Sequence, residues 1–226
     1  MYRNVHESKL VAHVNSSSSL SEAYRTLRTN IMFSGIDDPV RTIMLTSASP
    51  GEGKTTTVAN LAVTFAHEGK KTLLVDADLR KPSVHIMFKK SNRSGLTDAL
   101  FKENPWQEIV HETEIEHLHL LTAGIIPPNP SEILSSRRMS ELVEEWRVHY
   151  DVILFDTPPL LAVADGMILS ALCDGVILVI KSGKTKFTSA RKVLSQLEFA
   201  KARVLGTVLN NKKRSKDSGY HYGYGQ

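Results

Sequence analysis

The stretch "RTIMLTSASPGEGKTTTVANLAV" does most to limit what this chain can fold into. A short run of apolar residues breaks into a glycine-containing loop, and the loop opens directly into a helical pattern. The run lacks the alternation of a strand with one wet face, so it reads as a strand buried on both sides. The same unit recurs along the chain. "KTLLVDAD", "HLHLLTAG", "DVILFDTPP", "DGVILVIKSG" and "RVLGTVLNN" read as further strands. Helical patterns separate them, among them "SEAYRTLRTNIMF", with Ser21 as its expected cap, and a helix closed by Gly69. A long helix is expected from Ser131 to about Tyr150. Buried strands alternating with helices predict an α/β fold: a doubly wound, mostly parallel sheet with helices on both faces.

At 226 residues the chain is long enough for one sizeable core. The expected division is a polar, flexible segment over residues 1–20, a domain over 21–211, and a basic, tyrosine-rich tail over 212–226. The single cysteine, Cys173, excludes an internal disulfide and sits at the edge of an apolar run, where it reads as a small buried hydrophobe. No apolar run is long enough to span a bilayer, which predicts a cytoplasmic chain. The formal charge of +4 is mild and partly local to "KKRSK". No recognised nucleic-acid-binding motif accompanies it, so nucleic acid is not an expected partner. The histidines show no metal-ligand spacing.

"ASPGEGKT", Ala48 to Thr55, fits a phosphate-binding loop with alanine at the first glycine position, in the strand–loop–helix setting such a loop needs. Gly51 and Gly53 let backbone amides close around phosphate oxygens, and the following helix adds its N-terminal dipole. Lys54 is placed to reach the β and γ phosphates, and the Thr55 hydroxyl to ligate Mg²⁺. Gly51, Glu52, Gly53, Lys54, Thr55 and Thr56 are the expected nucleotide contacts, which makes ATP and Mg²⁺ the expected cofactors. Asp76 and Asp78 stand at the tip of a second buried strand and Asp156 at the tip of a third. Carboxylates gathered on the edge that carries the phosphate loop suggest a cluster that handles a metal or a proton. Asp156 is the expected metal-orienting acid. Asp76 or Asp78 would accept a proton or help hold the metal, and the residues do not separate those roles.

Together these three motifs resemble the Walker A, Walker A′ and Walker B motifs of the bacterial tyrosine kinases, and the chain is similar to the cytoplasmic kinase of Gram-positive capsule and exopolysaccharide systems. "SEAYRTLRTN" resembles that family's oligomerisation motif, here Glu22, Arg25 and Arg28, and the ending "GYHYGYGQ" resembles its autophosphorylation cluster, here Tyr220, Tyr222 and Tyr224. The resemblance implies a tyrosine kinase that phosphorylates its own tail between subunits of a ring. It also implies a transmembrane adaptor that brings the kinase to the inner face of the membrane, and control of polysaccharide synthesis or export. Other protein tyrosines are possible substrates. Related P-loop proteins recognise the base near the position of Asn210. Arg80 is expected to contact phosphate, an adjacent subunit or a nearby acid.

The competing reading is a partition or cell-division-type ATPase that works as an assembly switch. Such proteins carry a signature lysine early in the phosphate loop, where this chain has Ser49. A third reading is a regulator in which nucleotide binding controls assembly without turnover. Catalysis gives the tail a purpose. A phenol with a pKa of about 10 needs an in-line phosphate, neutralised charge and a carboxylate to take its proton.

Overall fold

The structure, a computed structural model, describes residues 10–35, 38–101 and 105–212. The tyrosines at 220, 222 and 224 lie outside the described residues.

A single-turn helix, α1 (Val11–Val14), and the longer α2 (Ser19–Ser34) precede the phosphate-loop unit of β1 (Thr42–Ser47) and α3 (Lys54–His67). Then come β2 (Thr72–Asp76), α4 (Val84–Met87), α5 (Leu96–Phe101) and α6 (Trp106–Ile109), followed by β3 (His111–Glu112) and β4 (Leu118–Leu121). The second half runs α7 (Pro130–Leu134), α8 (Arg137–His149), β5 (Val152–Asp156), α9 (Asp165–Ser170), β6 (Gly175–Lys181), α10 (Phe187–Phe199) and β7 (Val204–Asn210). The sheet order is β3-β4-β2-β5-β1-β6-β7, parallel throughout except for the β3–β4 pair. The expected fold class is the observed one. The six strands read from the sequence are joined by β3, which is too short to leave an apolar signature.

The strands alternate their side chains between two cores. Ile43, Leu45 and Leu74 pack on one face with α1, α2 and α3, whereas Met44, Leu73 and Val75 pack on the other with α5, α8, α9 and α10. Every residue of β1, β2 and β5 is buried. At about 1.5–3 kcal/mol for each large apolar side chain fully buried, these central strands are the least deformable part of the molecule. Their carboxyl ends are the platform on which the next residues stand.

Three local expectations change. Residues 10–20, expected to be loose, form α1 and the start of α2 and are anchored through buried Leu10 and Ala12, the Ala12 N–H donating to Asn60 Oδ1 of α3 at 2.9 Å. The cap of α2 is Ser18, whose hydroxyl accepts from Ser21 N, while Ser21 is fully buried and its hydroxyl ties back to Asn15 O at 2.6 Å. The single helix expected from Ser131 is two, with Ser136 capping α8. Polar serine runs hide both details, because any of several adjacent hydroxyls satisfies a capping rule. Gly69 behaves as expected just past α3, with φ 78° and its N–H donating to Ala66 O.

Candidate active site

Strand order assembles the site. β5 lies between β1 and β2, with Leu45 and Asp156 in register on one side and Asp76 and Asp156 in register on the other. The phosphate loop leaves β1 next to Asp156, and the Asp76–Asp78 turn leaves β2 on its far side. All the acids expected at the site, and Lys54, therefore meet at one sheet edge.

Within the loop, Gly51 and Gly53 have φ of 74° and 97°. Gly53 has a second reason to lack a side chain: a Cβ there would stand 1.9 Å from Asn210 Nδ2. Lys54 Nζ lies 3.3 Å from Asp78 Oδ2 and 3.9 Å from Asp156 Oδ1. A cleft of about 260 Å³ runs along Gly51, Gly53, Lys54, Thr55 and Thr56, closed on its opposite side by Ser83, Ile86 and Met87.

The acids differ in how they are held. Asp76 is spent on backbone: Oδ2 accepts from Ser83 N and Val84 N, each at 3.0 Å, and Oδ1 from Asp78 N at 3.3 Å. Burial, followed by the neighbouring Asp156, pushes its pKa up to about 8 despite those donors. Asp78 takes Lys81 N at 3.0 Å on one oxygen and Lys54 on the other. Asp156 is completely buried, and neither of its oxygens accepts a hydrogen bond of good geometry. Burial raises its pKa to about 6, against the pull of the Lys54 ammonium and the adjacent Thr55 hydroxyl.

An under-satisfied buried carboxylate beside a phosphate loop fits a Mg²⁺ site. Asp156 and the Thr55 hydroxyl would hold the ion. Among the described residues no group of three or more His, Cys, Asp or Glu side chains could hold a metal alone. Such an ion would draw its remaining ligands from phosphate and water, as Mg²⁺ usually does.

Several residues expected at the nucleotide are engaged elsewhere. Glu52 turns inward and is buried. Its Oε2 accepts from Ala48 N and Ser49 N, and its Oε1 accepts the Thr185 hydroxyl at 2.6 Å. Its side chain shapes the loop rather than facing the cleft. Asn210 donates its side-chain amide to Glu52 O at 3.0 Å, so the end of β7 braces the loop. Thr185, with Lys181 and Lys184 reaching the carbonyls of Gly51 and Pro50, went unread in the sequence. They lie some 130 positions downstream and carry no motif. Arg80 meets the acid option: its Nε and Nη2 bind Asp165 at 2.8 and 3.0 Å, and Ser131 completes the cluster. The pair ties the turn after β2 to the start of α9.

The Glu22–Arg25–Arg28 set is split. Glu22 and Arg25 pair within α2, with Arg25 Nε 2.8 Å from Glu22 Oε2 and Nη1 donating to Ser16 O. Arg28 turns onto α3, pairing with Glu68 and donating to Thr64 O at 2.8 Å. No helix among the described residues is long and apolar enough to cross a membrane.

With the geometry in view, comparisons with known proteins agree on its class. Residues 40–208 match the family described as AAA domain. Tyrosine-protein kinase YwqD of Bacillus subtilis is 51% identical over 222 residues, covering 98% of this chain and 92% of that protein. The solved kinase domain of Escherichia coli tyrosine kinase ETK superposes with a TM-score of 0.88 at 33% identity, covering 96% of this chain and 85% of that one. The septum site-determining protein MinD of Pyrococcus horikoshii, solved with Mg-ADP, follows at a TM-score of 0.67 and 28% identity, covering 78% and 72%. The shared P-loop sheet and the extent of these matches place the chain in the bacterial tyrosine-protein kinase family.

Proposed function

We propose that this chain is an ATP- and Mg²⁺-dependent protein-tyrosine kinase that phosphorylates Tyr220, Tyr222 and Tyr224 on a neighbouring copy. The observation that carries the reading is the meeting of Lys54, Asp78 and Asp156 at one sheet edge, with Lys54 3.3 Å from Asp78 Oδ2. Bound Mg²⁺ would neutralise charge on the phosphates. The chain's own groups do the rest. Loop amides and the α3 N-terminus hold the phosphates. Lys54, which rests on two carboxylates, turns to the phosphate oxygens. Asp78 is the better base, because the Asp76 oxygens are already taken by three backbone N–H groups. The phenolic oxygen attacks the γ-phosphorus, its proton passes to Asp78, and the bond to the β-phosphate oxygen breaks to release ADP.

Assembly through Glu22, Arg25 and Arg28 remains part of the proposal, with Arg28 acting through its seat on α3. So do an adaptor that recruits the chain to the inner face of the membrane, and control of capsular or extracellular polysaccharide synthesis. They rest on the family resemblance.

Intact-protein mass after incubation with Mg-ATP tests the activity, alone and with the cytoplasmic segment of a candidate adaptor. Phosphate-sized mass steps mapping to the tail tyrosines, and absent in Lys54→Met, are the expected result. Steady ATP hydrolysis with no added phosphate would favour a nucleotide-switched ATPase, the reading that the likeness to MinD keeps open.

A further inference from the structure

Asp78 sits on a turn that leaves β2 and runs outward, with Arg80 and Lys81 exposed at its crest. A carboxylate on such a turn is only as well placed as the backbone that carries it. Three local contacts hold that backbone. Asp76 accepts from Asp78 N, Ser83 N and Val84 N. Asp78 Oδ1 accepts from Lys81 N at 3.0 Å, which leaves Oδ2 as the oxygen that faces Lys54. Leu79 is buried in the core and pins the middle of the turn. One apolar anchor fixes a position but leaves the peptide planes beside it free to rotate.

The remaining hold comes from far along the chain. The Arg80 guanidinium crosses to Asp165, the first residue of α9, with Nε 2.8 Å from Oδ2 and Nη2 3.0 Å from Oδ1. Ser131, near the start of α7, donates its hydroxyl to Asp165 Oδ1 at 2.6 Å and accepts from Arg80 Nη2 at 3.1 Å. Asp165 is completely buried, so both of its oxygens depend on these partners. A two-pronged guanidinium–carboxylate contact fixes a plane as well as a distance. Ion pairs with a buried member are weak contributors to stability, and their better-attested use is to fix geometry. None of the three residues lines the phosphate cleft, yet all converge on a point two positions from Asp78.

We infer that Asp165, with Ser131, is a positioning residue for phosphoryl transfer: it clamps Arg80 so that the turn presents Asp78 Oδ2 to the attacking phenol. The inference rests on the kinase reading, because it assigns a support to the base named there. Asp165 touches neither nucleotide nor phenol. Its effect passes through Arg80 and the backbone of Leu79, and so falls on the chemical step rather than on nucleotide affinity.

The test pairs kinetics with backbone exchange on the full-length chain. In Asp165→Asn one acceptor facing Arg80 becomes a donor. Its kcat for tail phosphorylation is expected to fall by roughly tenfold or more, the scale of a small misplacement of a reacting group. The KM for ATP and the affinity for a fluorescent ATP analogue should stay unchanged. Amide exchange over residues 77–83, followed by mass spectrometry, should quicken, while that of α3 should not. Arg80→Lys keeps the charge but loses the fork. It should behave the same way, and it carries the test if Asp165→Asn does not fold. Ser131→Thr keeps the hydroxyl and should retain activity that Ser131→Ala loses. An unchanged kcat, or unchanged exchange over 77–83, overturns the inference. A rise in the KM for ATP or a loss of analogue binding also overturns it, by assigning the cluster to the nucleotide. If the turn loosens as expected but the unmodified chain transfers no phosphate, the clamp stands and the kinase reading falls.

Discussion

The two halves of the site are finished to different degrees. On the β1–β6–β7 side the phosphate loop is fully tied down: Glu52 collects two loop amides and the Thr185 hydroxyl, and Asn210 braces Glu52 from behind. On the β2–β5 side Asp156 is fully buried with no hydrogen bond of good geometry, and Asp76 is pushed up to about 8 by burial and by that neighbour. Buried polar groups ordinarily find partners, and a buried carboxylate without them is costly. The loop side is thus built for stability before any ligand arrives. The acid side gives up stability that a bound cation would return.

Asp156→Asn should break this contrast most visibly. Phosphotransfer is expected to fall by roughly a hundredfold or more, while the ligand-free protein melts at the same temperature or higher, because a buried charge without good partners has been removed. Phosphotransfer assays beside thermal melts check both halves of that statement. A clear drop in ligand-free stability would mean that Asp156 is satisfied as it stands.

Glu52→Ala should do the reverse. Three donors lose their acceptor, so urea denaturation should show a loss of about 2–4 kcal/mol. Nucleotide binding should weaken with the loop's shape rather than through any lost contact to the ligand. Stability unchanged within error would show that water replaces the carboxylate and that the loop does not depend on it.

The smallest effect is in pH. Asp76 and Asp156 have folded pKa values above the unfolded carboxylate value. The folded state then binds more protons, so their contribution is fully present below the unfolded pKa and is lost as pH rises through about 6 and then about 8. Asp165 has the opposite sign. Burial would raise it, but Arg80 and Ser131 outweigh that and hold it below the ordinary value. Its contribution is present above the unfolded pKa and is lost as pH falls through its depressed folded value. In metal-free protein these two acids therefore pull the melting temperature down from pH 5 to 8, against the lowered His67, His111 and His119, and Asp76→Asn should remove part of that pull. A slope unchanged in Asp76→Asn would place the titrating group elsewhere.

Sequence and structure meet unevenly across the same two regions. The acids were legible because each follows a run of Val, Ile and Leu, and burial on both faces leaves a strand no other way to look. Their meeting at one edge followed from parallel pairing. The burial of the Glu52 side chain was not legible, because its position in the loop says nothing about which way that side chain turns. That direction is held by the loop amides of Ala48 and Ser49 together with Thr185, on a connection more than a hundred positions away. Arg28 was read with Glu22 and Arg25 as one oligomerisation motif, yet its partner Glu68 stands just past the end of α3. Residues 10–20 read as loose from a run of serines, although Asn60 holds Ala12 at a distance of 48 positions in sequence. Local pattern revealed elements and motifs, and contacts between distant positions decided what each side chain faces.

β7 ends on the phosphate loop, so the segment that follows is tethered at the mouth of its own nucleotide site. A peptide held on a short linker samples its surroundings at an effective concentration on the order of millimolar. On the reading proposed above, a subunit's own tail is therefore a standing competitor for its own cleft at any dilution of the protein. On the reading proposed above, exchange of phosphate between neighbours has to match that local concentration. A diffusing partner at micromolar levels cannot, but a neighbour fixed in an assembly can. Oligomerisation would then act less as a switch on the chemistry than as the means of choosing whose tyrosine arrives first.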